Sequence, residues 1–98
     1  MLDEDIRLRL IAAQPSLARA GIAHIAVFGS RARGKAKPES DIDVLIEITP
    51  DRKFSLFDLV GAEQTLSEAT GLRTNAVMRR SLDAKFKERI EPDIVEIF

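Results

Sequence analysis

The chain has 98 residues, 45% of them hydrophobic and 32% charged, which is enough for one core and too little for two, so a single domain over residues 1–98 is expected. Fifteen Lys and Arg against sixteen Asp and Glu leave a net charge of −1, too balanced to draw nucleic acid by bulk charge. No cysteine and a single histidine, His24, exclude disulfides, cysteine nucleophiles and zinc sites built from thiolates or several imidazoles, which leaves a hard cation on carboxylates, such as Mg²⁺, as the metal this chain could hold.

The start, Met1-Leu2-Asp3-Glu4-Asp5, is acidic where a signal peptide is basic. No apolar run approaches the ~20 residues of a membrane span, so the expected location is the cytoplasm, with no membrane contact. Ile6, Leu10, Ala13 and Leu17 then form one stripe of a helical period, interrupted at Pro15 and ended at Gly21. Ile25 to Phe28 is a short strand that stops at Gly29-Ser30, and Arg31 to Ser40 reads as a helical turn followed by a loop. Asp41 to Ile48 alternates: Ile42, Val44, Ile46 and Ile48 point one way, while Asp41, Asp43, Leu45 and Glu47 point the other. Ser55 and Asp58 make a capping box for a helix whose buried stripe is Leu59, Ala62, Leu66 and Ala69, with Gly71 closing it. Leu72 to Met78 is a third strand with Leu72, Ala76 and Met78 on one face and Arg73, Asn75 and Val77 on the other. Ser81 is expected to cap a last helix with Leu82, Phe86 and Ile90 inward; Pro92 ends it, and Ile94 to Phe98 offers an edge strand. The order predicts an α/β (α+β) fold, a small mixed sheet with helices on one face and an open face around Asp41 and Asp43.

Chemistry concentrates in one stretch. Asp41 and Asp43, two apart on a strand, share a face, and like charges that close are relieved by a shared divalent cation. Gly29 lets the backbone approach a ligand, and Ser30 adds a hydroxyl donor where free N–H groups attract phosphate. Arg31 and Arg33 supply positive charge for a polyphosphate, whereas Lys35 and Lys37 read as a solvated loop. His24 has no acidic neighbour in sequence and reads as structural or exposed.

The segment Phe28-Gly29-Ser30-Arg31-Ala32-Arg33-Gly34, followed by Ser40-Asp41-Ile42-Asp43-Val44-Leu45, resembles the signature of the DNA polymerase β superfamily of nucleotidyltransferases, and in particular its minimal nucleotidyltransferase (MNT) branch. The resemblance implies a nucleotidyltransferase fold. It implies that Gly29 and Ser30 hold nucleotide phosphates and that Asp41 and Asp43 bind Mg²⁺. It also implies a third carboxylate on the strand after the middle helix, and there this chain has Asn75, within Thr74-Asn75-Ala76-Val77. An amide carries no charge and cannot serve as a base, and one such electrostatic interaction is worth ~3–4 kcal/mol in transfer. Glu47 shares the strand face but lies roughly 13 Å beyond Asp43, and Asp83 reads as first-turn helix decoration. Members of this branch pair with HEPN-domain toxins, and the antitoxin transfers AMP from ATP to a toxin tyrosine. The resemblance therefore implies an ATP- and Mg²⁺-dependent antitoxin with a cognate HEPN toxin as partner. The substitution at Asn75 leaves a second expectation, a non-catalytic module that neutralises its partner by contact.

Overall fold

The computed structural model describes residues 1–98. Helix α1, Glu4–Ala12, begins where Asp3 accepts a hydrogen bond from the Ile6 N–H at 3.1 Å. The interruption at Pro15 is real: α2, Gln14–Arg19, restarts with Pro15 in its first turn, where a missing N–H costs nothing. Ile6, Leu10, Ala13 and Leu17 are all buried, as their spacing requires.

Strand β1, Ile22–Phe28, starts three residues before the expected Ile25. The reason is a bulge. Ile22 faces Ile48 on the next strand while His24 faces Glu47, so Ala23 is an extra residue in the ladder. The bulge turns Ile22 to the same side as Ile25 and Val27 and hides the alternation that marks a strand in sequence. After β1 come α3, Ser30–Arg33, and a loop to β2, Ile42–Ile48. Then α4, Leu56–Thr70, crosses to β3, Thr74–Met78. A 3-10 turn at Arg79–Ser81 leads to α5, Ala84–Ile90, and a second, Glu91–Asp93, leads to β4, Val95–Glu96. The sheet order is β3-β2-β1-β4, with β2 and β3 parallel and the other pairs antiparallel, giving the expected mixed sheet.

Helices α1, α2 and α4 cover one face. Leu10, Leu17, Ala62 and Leu66 pack there against Ile25, Val27, Ile42, Val44, Ile46 and Ala76. The second face is not wholly open. Ala26, Phe28 and Leu45 form a smaller cluster with Ile90 and Phe86 of α5, and Phe28 meets Phe86 edge-on at 5.9 Å. Leu45 is the apolar member of the otherwise polar row Asp41, Asp43, Glu47, and α5 sits over it. The cap of α5 also differs from expectation. Ser81 lies in the preceding 3-10 turn, and the Asp83 carboxylate accepts the Phe86 N–H at 2.8 Å. No helix is long and apolar enough to cross a membrane.

The edge strand β3 is tied down from outside the sheet. The Thr74 N–H donates to Ser67 Oγ at 3.1 Å and the Ala76 N–H to Glu63 Oε2 at 2.8 Å. Both acceptors come from α4, so outward-facing N–H groups on either side of Asn75 are paired rather than open to another strand.

Candidate functional site

Register builds the site. Asp43 stands opposite Phe28 on β1 and opposite Asn75 on β3. Strand β1 ends at Phe28, so Gly29-Ser30 emerges beside Asp43, and Asp41 lies just before β2 begins. The Asn75 Nδ2 donates to Asp41 Oδ2 and to Asp43 Oδ1, each at 3.3 Å. Three expected residues, Asp41 just before β2, Asp43 on β2 and Asn75 on β3, thus meet at one point. The two carboxylates aim at a single atom, and the amide relieves their mutual repulsion without adding a charge.

Gly29 is glycine for two independent reasons. Its φ is +77°, and a Cβ there would lie 2.8 Å from Asp43 Oδ2. The backbone therefore passes directly against the carboxylate, an approach closed to any side chain. Gly29 is also the N-cap of α3, which makes Ser30 the first helical residue and not the cap. The half-buried Ser30 can turn its hydroxyl toward a ligand without breaking a helix cap.

The arginines are used differently from expectation. Arg31 donates from Nη2 to the carbonyls of Pro38 at 3.0 Å and Ser40 at 2.7 Å. It straps the loop that delivers Asp41. Arg33 pairs with Asp93 at 3.1 Å and ties α3 to the turn after α5. Lys35 and Lys37 are exposed, as is His24. Glu47 is out of reach of the site for a second reason beyond distance: Arg79 holds it at 3.2 Å and Glu96 at 2.9 Å. Those two carboxylates, Glu96 foremost, raise the Arg79 pKa above its usual value. No group of three or more His, Cys, Asp or Glu side chains is placed to hold a metal ion together, and the carboxylates that meet at Asn75 are the two of Asp41 and Asp43.

A family model described as nucleotidyltransferase domain matches residues 7–97. The protein adenylyltransferase MntA of Thermococcus cleftensis is 34% identical over 79 residues, 81% of this chain and 78% of that protein. The chain belongs to the nucleotidyltransferase domain family. Its place is in the minimal nucleotidyltransferase branch: a solved structure assigned to that class superposes with a TM-score of 0.78 at 32% identity, covering 97% of this chain and 95% of the other. The fold also matches a complex of a tri-AMPylated Shewanella oneidensis HEPN toxin with its MNT antitoxin, at a TM-score of 0.59 and 14% identity over 89% of this chain and 70% of that one. Within this nucleotidyltransferase domain, the Gly-Ser and Asp-x-Asp positions were legible from one short stretch. The Arg31 strap and the Glu63 and Ser67 contacts were not, because they depend on the path of a loop and on which strand is the edge.

Proposed function

We propose that this nucleotidyltransferase binds ATP with Mg²⁺ and transfers AMP to a hydroxyl of a HEPN-domain protein, as an antitoxin. The convergence of Asp41 Oδ2 and Asp43 Oδ1 on one point beside Gly29 carries the reading. The donor chemistry suits Mg²⁺, which takes one or two carboxylates and completes its shell with phosphate oxygens and water. Asp41 and Asp43 would hold it, with the Asn75 amide oxygen available after a flip of the side chain. Bound there, the ion supplies neutralisation of phosphate charge. Ser30 and the backbone at Gly29 position the phosphates, and Arg31 and Arg33 act on them through the loop and turn they hold. The relative from Thermococcus cleftensis, named a protein adenylyltransferase, and the AMPylated HEPN toxin in the matching complex support a protein acceptor.

In the transfer itself an acceptor oxygen bonds to the α-phosphorus and the bond to pyrophosphate breaks. The acceptor proton needs a base, and Asn75 cannot be one. Transfer by this chain is therefore expected to be slow, about 10²–10³-fold below that of a form with Asp in this place. The same residue favours the second reading, a module that neutralises its partner by contact alone. The deciding experiment incubates labelled ATP, Mg²⁺ and the cognate HEPN protein with four chains. Slow label incorporation by the unaltered chain, a rise with Asn75→Asp, and none with Asp41→Ala plus Asp43→Ala is the expected result. Ser30→Ala should weaken ATP binding by roughly 1–2 kcal/mol with stability unchanged. No incorporation by either the unaltered chain or Asn75→Asp, with tight partner binding kept, would establish the non-catalytic module.

A further inference from the structure

The outer face of α4 carries large apolar side chains that the site does not use. Leu56, Phe57 and Val60 are 74%, 88% and 55% exposed. With Ala62 and Leu66 in the core, helical spacing puts Phe57, Gly61, Gln64 and Glu68 on the stripe directly opposite. Gly61 is the second observation. A Cβ there would meet nothing within 4 Å, so nothing inside the chain requires glycine in mid-helix, where only proline is less favourable. A glycine beside exposed Phe57 and Val60 leaves a notch through which another helix can approach closely.

Charge gives that helix an orientation. Lys53 precedes α4 and Glu68 lies near its end; both are exposed and neither forms an ion pair within the chain. A second α4 laid antiparallel and crossing at Gly61 sets the two Gly61 notches face to face and brings each Phe57 beside the other copy's Thr65, about one turn from the axis. The same placement sets each Lys53 against the other copy's Glu68. A two-fold contact forms each of these pairs twice.

We propose that this face docks a second copy of the chain, α4 against α4, about an axis at Gly61. Topology favours a copy over the transfer acceptor. Helix α4 returns from the end of β2 to the start of β3, so Phe57 lies at the far end of the molecule from Asp41, Asp43 and Asn75. It also lies on the opposite face of the sheet. A copy docked here leaves both sites open, while an acceptor must reach them. One helix face buries less than the ~800 Å² per partner of a standard interface, so the dimer forms in a concentration-dependent way.

Sedimentation velocity from micromolar to near-millimolar protein tests this without reference to transfer. The unaltered chain should move from monomer toward dimer mass. Phe57→Glu should stay monomeric. Gly61→Leu should also stay monomeric while its melting temperature holds or rises, because its Cβ meets nothing within the chain. Glu68→Lys should weaken association about fivefold, and adding Lys53→Glu should restore it. A monomer at every concentration overturns the proposal, as does a dimer indifferent to both Phe57→Glu and Gly61→Leu. Loss of HEPN-protein binding in Phe57→Glu, with the unaltered chain monomeric, would assign the face to that partner instead.

Discussion

An amide at position 75 makes the acidic site tolerable without a cation. Its Nδ2 gives one hydrogen bond to each carboxylate, where a third carboxylate would add a third like charge at hydrogen-bonding distance. Asn75→Asp should therefore destabilise the protein in chelator by about 1–2 kcal/mol, since these contacts are exposed and each new repulsion, screened as in bulk water, is worth about 1 kcal/mol. For a chain of this length that is a fall of roughly 5–10 °C in melting temperature. Mg²⁺ should recover the loss in Asn75→Asp and shift the unaltered chain less. Melting curves of both forms, with chelator and with Mg²⁺, check this. Equal melting temperatures in chelator would mean that residue 75 does not share a field with Asp41 and Asp43. The residue could be placed in advance only through the resemblance, because a lone Asn on a strand has no chemistry that points to two aspartates some thirty positions earlier in the chain.

At the scale of the element, helix ends were the most legible features. Ser55 and Asp58 form the expected capping box: the Ser55 N–H donates to Asp58 Oδ2 at 2.7 Å and the Asp58 N–H to Ser55 Oγ at 3.3 Å. The Ser55 backbone N–H, then its hydroxyl, holds the Asp58 carboxyl below its ordinary value of 3.8. A carboxyl depressed by folding contributes stability above its unfolded value, and that contribution is lost as pH falls through the lower folded value. Asp58→Asn removes the titrating group. The gap in melting temperature between the two proteins should thus be constant near neutrality and close as pH drops below about 4. A gap that stays constant into strong acid would show that the carboxylate does not serve the cap. The cap of α5 departs from the sequence expectation for a local reason. Ser81 and Asp83 are both good caps, and only the packing of Leu82 into the second cluster, with a 3-10 turn before it, selects Asp83. The start of β1 was hidden by the bulge at Ala23, which breaks the two-residue period on which strand recognition depends.

Across the whole molecule the sheet separates two cores of unequal size, and they should not melt alike. The larger joins α1, α2 and α4 to every strand, with Leu66 fully buried at its centre. The smaller holds α5 through Phe86 and Ile90 against Phe28, with the Arg89 guanidinium 5.2 Å from the Phe86 ring centre on the solvent side. Leu66→Ala opens a cavity in the shared core and should cost about 3–4 kcal/mol of global stability, raising exchange of core amides throughout. Phe86→Ala removes a half-buried ring from a helix of only seven residues, too short to persist without its packing. Its main effect should be local opening. Hydrogen exchange should then speed selectively in residues 84–90, while the amides of α4 and β2 keep their protection. Phe28 is both the floor beneath Phe86 and the residue before Gly29, so opening α5 should also loosen the wall beside Asp43. The Phe86→Ala chain should accordingly bind ATP with Mg²⁺ more weakly even though no atom of Phe86 belongs to the site. Uniform acceleration of exchange across all helices, or unchanged affinity with α5 open, would mean that the two faces of the sheet form one cooperative unit or that α5 does not support the site.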